Sequence, residues 1–149
     1  MFLTKVLSAR RIIVSLACAV FVVGATGCGK QGPKLVPVEG RVMVGTKPVT
    51  NGYVILYPDK AQGNTSLEEP RGEIDSRGNY KVLTGTRAGA APGWYQVAVT
   101  AAAEYDPKNP YFTEWLIPQK YIDPKTSKLT VEVVERPVPG AYDFKLDAK

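Results

Sequence analysis

Pro92-Gly93-Trp94-Tyr95-Gln96-Val97-Ala98-Val99-Thr100 reads as a turn followed by a half-buried strand. The Pro-Gly pair is a turn signal. Beyond it, Tyr95, Val97 and Val99 recur with period two, so they share the inward face, and Trp94 points outward by alternation. Outward from this stretch the same pattern returns. Val38, Gly40, Val42 and Val44 fall on one side, with Glu39, Arg41 and Met43 on the other, before Gly45-Thr46-Lys47-Pro48 turns the chain. Tyr53-Val54-Ile55-Leu56-Tyr57 is apolar on both faces, so it is either central or its tyrosines cover an outer surface. Pro58-Asp59 ends it, and Lys60 to Pro70 is polar and reads as an exposed loop.

A hairpin is expected around Asp75-Ser76-Arg77-Gly78, with Glu73-Ile74 entering and Asn79 to Thr84 leaving. Gly78 supplies a positive φ and Asp75 accepts from the amides of the turn. Thr84 to Ala91 reads as a loop of small residues. Leu129 to Val133 and Tyr142 to Asp147 alternate cleanly, separated by Pro137, Pro139 and Gly140. No segment has a helical period. The expected fold is all-β, a seven-stranded antiparallel β-sandwich.

Ala102 to Lys128 is too long for a hairpin loop, and its aromatics (Tyr105, Tyr111, Phe112, Trp115, Tyr121) and prolines argue against disorder. It is expected to pack on the sandwich, with one helical turn over Thr113 to Leu116 and with Tyr121 and Ile122 as anchors.

The N-terminus carries a different signal. Lys5, Arg10 and Arg11 precede an apolar run from Ile12 to Val23, then Ala25-Thr26-Gly27-Cys28. The run is short of the ~20 residues that a spanning helix needs, and its length suits a cleaved export signal. The segment resembles the lipobox of bacterial lipoprotein precursors, in which cleavage precedes a cysteine that receives diacylglycerol. Ala25 departs from the leucine most common at its position. The resemblance implies a signal helix at 1–27, lipidation at Cys28, a tether over 28–36 and a domain over 37–149. Gly29 lacks the aspartate that retains lipoproteins at an inner membrane, which points to the outer membrane.

Cleavage changes the charge balance. The signal takes three of the 19 basic residues and no acidic ones, leaving 16 against 14, a formal +2 instead of +5. No nucleic-acid footprint survives. Cys18 leaves with the signal and Cys28 is the acylation site, so the body has no disulfide pair. The chain has no histidine and the body no free thiol, which removes Ser-His and Cys-His catalysis and zinc sites built on His or Cys.

Several phrases taken together resemble a known family. Val38-Glu-Gly-Arg-Val42, Lys47-Pro48-Val49 and Val54-Ile-Leu-Tyr-Pro58 look like the opening of carboxypeptidase regulatory-like domains. Asp75-Ser-Arg-Gly78-Asn-Tyr80 is similar to their Asp-x-x-Gly-x-Tyr/Phe hairpin, and Pro92 to Val99 to their Pro-Gly-x-Tyr-x-Val-x-Val strand. Ile117 to Ser127 resembles a phrase of small bacterial lipoproteins built on this sandwich. The resemblance spans roughly Val36 to Leu146. It implies a transthyretin-like (prealbumin-like) fold, exported and lipid-anchored, with no assigned activity.

Candidate sites follow from residue type. Asp75 with Asp59, Glu73 and Asn79 offers oxygens for calcium, but the spacing matches no calcium loop and a turn-capping aspartate needs no metal. Neither a metal nor a cofactor is expected. Transthyretin-like hydroxyisourate hydrolases use histidines and a C-terminal Tyr-Arg-Gly-Ser, where this chain ends Leu146-Asp147-Ala148-Lys149. Intradiol dioxygenases need histidine beside tyrosine. Glu68-Glu69, or Glu104, Asp106 and Glu114, would be the carboxylates of a hydrolase; acidic loop residues are more often simply solvated. The aromatics Trp94, Trp115, Tyr53 and Tyr57 are the stronger candidates for a binding surface, either as platforms for sugar rings or as anchors for a protein. The competing reading is that the long loop folds over them. The expected function is a non-enzymatic, lipid-anchored interaction or structural module. Its partners are the membrane and an unidentified envelope protein or glycan, the latter through a carbohydrate-binding surface.

Overall fold

A computed structural model describes residues 32–104 and 107–148. The signal at 1–27, Cys28, the first tether residues, Tyr105 and Asp106 lie outside the described residues. The body is mostly β, in two sheets that share one core. Its strands are β1 (Glu39–Val44), β2 (Lys47–Pro48), β3 (Tyr53–Pro58), β4 (Arg71–Glu73), β5 (Asn79–Lys81), β6 (Leu83–Thr84), β7 (Arg87–Ala88), β8 (Gly93–Thr100), β9 (Leu129–Val133) and β10 (Phe144–Leu146).

The larger sheet runs β7-β6-β4-β3-β8-β9, antiparallel throughout. In the smaller one β1 pairs with β2, β5 and β10. The inward faces match the alternation read from sequence. Tyr95, Val97 and Val99 of β8 and Val54 and Leu56 of β3 are fully buried, and Val38, Val42, Tyr80, Phe144 and Leu146 meet them from the other side. At ~1.5–3 kcal/mol for each fully buried large side chain, this set is the main source of stability.

Three expectations need correction. The fold is not wholly antiparallel: β10 lies parallel to β1, with Val42 opposite Phe144 and Val44 opposite Leu146. The chain leaves β9 in the larger sheet and crosses to the smaller one through residues 134–143. A crossover delivers a parallel strand where a hairpin would deliver an antiparallel one. Secondly, Gly45–Pro48 and Thr84–Ala91, expected as turn and loop, contain β2 and β7, and the expected strand Asn79–Thr84 divides into β5 and β6, which lie in different sheets. Pairings two residues long leave no periodicity to read. Thirdly, Thr113–Leu116 is extended, not helical. Trp115 bridges Ala102, with Ala103 N donating to Glu114 O at 2.8 Å and Leu116 N to Ala101 O at 2.9 Å.

The helical turns come later in that loop, a 3-10 turn at Gln119–Tyr121 and a single α turn, α1, at Pro124–Ser127. Asp123 accepts from Lys125 N at 2.8 Å, and Pro124 starts α1 where its missing N–H costs nothing. Both turns pack against β8. There Ala98, outward by alternation, is nonetheless fully buried. Ile117 and Tyr121 join the core, and Ser127 Oγ donates to Val97 O at 2.5 Å.

Candidate functional site

The outward aromatics of the larger sheet are placed by its register. Tyr53 stands opposite Thr100 and Tyr57 opposite Gln96, whereas Trp94 stands opposite Glu132. Trp94 and Thr100 are six residues apart on β8, about 20 Å along a strand. Tyr53 and Trp94 therefore sit at opposite ends. Both are exposed, at 46% and 36%. Tyr57, diagonal to Trp94, is half-buried; its burial pushes the phenol pKa up, and the carboxylates of Glu69 and Asp123 add to this. Trp115 is half-buried and belongs with the Tyr53 end, since it bridges Ala102 just past β8. Asn51 Nδ2 donates to Ala102 O at 2.9 Å and holds that end in place. By register the four aromatics thus fall at two ends of the sheet, Trp94 and Tyr57 at one and Tyr53 and Trp115 at the other.

The long loop divides in two. Its second half, Ile117 to Ser127, packs as described. Its first half projects: Tyr111 is completely exposed, Phe112 is 67% exposed and Leu116 is 40% exposed. A cleft of about 600 Å³ opens beside them, with Phe112, Trp115 and Pro118 as apolar walls and Thr113, Glu114 and Gln119 as polar ones. Sequence reasoning placed Tyr111 and Phe112 among the packed aromatics. Pro107 and Pro110 just before them, which favour an exposed turn, are the sequence sign that this half stands free of the core.

The candidate carboxylates are dispersed. Asp75 accepts from the amides of Arg77 at 2.8 Å and Asn79 at 2.9 Å, and these bonds hold its carboxyl below the usual range. Gly78 has φ +86° at the same turn, as expected. Asp59 accepts from Ala61 N at 3.0 Å at the other end of β3. Both aspartates cap turns, and among the described residues no group of three or more acidic, Cys or His side chains is placed to hold a metal ion. Glu68, Glu69, Glu104 and Glu114 are exposed in loops. The groove beside the Asp75 hairpin holds charges that mostly answer one another, with Lys81 on Glu39 at 3.0 Å and Arg77 on Asp75 at 3.6 Å.

The N-terminal segment of the body is also fixed. Val36, the last residue of the expected tether, is buried and exchanges main-chain bonds with Ala90 at 2.8 and 3.0 Å. Lys34 pairs with Glu135 at 2.7 Å, which holds the Glu135 carboxyl below its usual range. Pro33 lines a groove of about 500 Å³ together with Gln62, Leu67, Pro92 and Gly93. No helix among the described residues is long and apolar enough to cross a membrane. No family model, no curated protein and no solved structure matches this chain.

Proposed function

We propose that this is a lipid-anchored protein of the cell envelope, held through Cys28, whose β-body is a non-enzymatic interaction or structural module. The lipobox-like Ala25-Thr26-Gly27-Cys28 supports the anchor, and Gly29 favours the outer membrane. More than one acyl chain is needed for stable residence. Seven strands of three or more residues, and two sheets on one core, support a carboxypeptidase regulatory-like, transthyretin-like sandwich. The parallel β1–β10 pair is its departure from the antiparallel pattern.

One observation carries the interaction reading: on a projecting loop Tyr111 stands fully in solvent and Phe112 is two-thirds exposed. Large aromatics left outside the core are the side chains that most often anchor partners. A photoactivatable phenylalanine analogue at Tyr111, in the lipidated protein in its own membranes, tests this. The proposal expects a discrete adduct that the same analogue at Thr46 does not give. No adduct at either position, or equal labelling at both, contradicts it.

The cleft beside Phe112 favours a second reading, carbohydrate binding. An aromatic wall stacks on the apolar face of a sugar while Thr113, Glu114 and Gln119 meet its hydroxyls. The chain has two tryptophans, so Trp94→Phe leaves Trp115 as the sole indole. Titration of that variant with chitotetraose and cellotetraose then reads the cleft directly. A saturable change in Trp115 emission supports the glycan; none with either sugar removes it.

A further inference from the structure

We infer that the end of the body carrying Pro33 and Leu67 rests on the lipid surface, and that the Tyr111–Leu116 loop is held facing away from it. This rests on the reading of Cys28 as the lipidated residue. The geometry of the emerging chain supplies the constraint. From Val36 back to Gly32 the segment lies along the body: Val36 is bonded to Ala90, Lys34 is paired with Glu135, and Pro33 sits at a groove. At Gly32 a side chain would come within 3.0 Å of the Arg87 guanidinium. Cys28 and Gly32 are four residue steps apart, so even a fully extended chain separates them by at most about 14 Å. An acyl anchor on so short a lead brings this end of the body to the headgroups, leaving little room for it to tumble.

The surface there suits the contact. Leu67, on the lip of the same groove as Pro33, is 92% exposed and offers an apolar side chain to the contact. Glu68 lines the groove too, and of the nearby cations Lys34 is paired with Glu135 while Arg87 lies beside Gly32, so the patch has no strong positive bias. Apolar contact, not attraction to anionic lipid, is the driving term, and zwitterionic lipid suffices. The opposite end follows from β8. The strand starts at the groove with Gly93 and runs to Thr100, about 23 Å away. The projecting loop departs from that far end.

The test uses lipidated protein in phosphatidylcholine vesicles, with an environment-sensitive fluorophore on Leu67→Cys or on Thr113→Cys and brominated lipids as depth quenchers. The inference expects the label at 67 to shift to the blue and lose at least half its emission, and the label at 113 to lose under a tenth, at low and high salt alike. Protein that floats with the vesicles but is quenched equally at both positions, or more at 113, overturns the orientation while leaving the anchor intact. Protein that does not float at all overturns the anchor, and the orientation with it.

Discussion

The hydroxyl of Tyr80 donates to the main-chain carbonyl of Tyr142 at 2.5 Å, a contact between residues 62 apart in sequence. It ties β5 to the segment entering β10, and Gly40 of β1 lies against the same carbonyl. A Cβ at Gly40 would stand 2.1 Å from Tyr142 O and 3.1 Å from the Tyr80 ring. The smaller sheet therefore closes on one aromatic, one glycine and one carbonyl.

Removing the hydroxyl alone keeps the ring, which stacks on Phe144 with centroids 6.1 Å apart. Tyr80→Phe is expected to lower stability by about 1–3 kcal/mol, because a buried carbonyl loses its donor. Urea denaturation at neutral pH reads this, and a change below the error of the measurement would show that the bond contributes nothing. Gly40→Ala should cost more, since main chain has to move to admit the methyl. A Gly40→Ala protein as stable as the parent would mean that β1 and β10 are spaced differently.

Tyr80 also sets the alkaline limit. Burial raises its pKa far above the ordinary 10.0, and Tyr95 and Tyr57 are raised in the same way. The folded state thus holds these protons more tightly than the unfolded chain. Their contribution is complete below about pH 10 and is lost as pH rises beyond it. Tyr80→Phe should flatten that alkaline limb. At the acid end, Asp75, Glu135 and Asp147 are lowered by their hydrogen bonds, to the amides at residues 77 and 79, to Lys34, and to Lys120 and Tyr121. Their contribution is present above about pH 4 and fades as pH falls below it. With no histidine in the chain, a thermal-melt series from pH 5.5 to 8.5 should be nearly flat. A clear step inside that window would contradict the assignment.

Ser127 joins the packed half of the long loop to β8. Its buried Oγ donates to Val97 O at 2.5 Å and accepts from Leu129 N at 3.2 Å. Ser127→Ala should cost about 1–3 kcal/mol through the orphaned carbonyl, and limited proteolysis should cut faster within residues 117–128. Unchanged cleavage there would mean that Ile117 and Tyr121 hold the segment unaided.

The projecting half should behave oppositely. Tyr111→Ser with Phe112→Ser removes two exposed aromatics and no core contact, so stability should stay within about 0.5 kcal/mol. Partner or sugar binding should be lost at the same time. A large loss of stability would place these rings in the core and remove the basis for a binding surface.

Much of this architecture was legible in the chain. Period-two alternation located β1, β8, β9 and β10, an apolar run ended by Pro58-Asp59 located β3, and Asp75 with Gly78 identified the hairpin turn. What escaped was short or long-range. β2 and β7 have two residues each, and the parallel partnership of β10 with β1 depends on where a crossover lands. The helical turn expected at Thr113–Leu116 lies instead at Pro124–Ser127, where Asp123-Pro124 carries the stronger capping signal. For the candidate site, alternation put Trp94 outside correctly and left the face of Tyr53 open, which the structure shows exposed. It could not show that they lie at opposite ends of the sheet, because relative register is a property of paired strands and not of either alone.

The central claim is that a diacylglycerol on one cysteine holds a β-body at a membrane. Intact mass of the protein extracted from the membranes of its own host measures it most directly. The account predicts a chain beginning at Cys28, lacking residues 1–27 and heavier by a thioether-linked diacylglycerol. An unmodified Cys28 in protein recovered from the soluble fraction would contradict it.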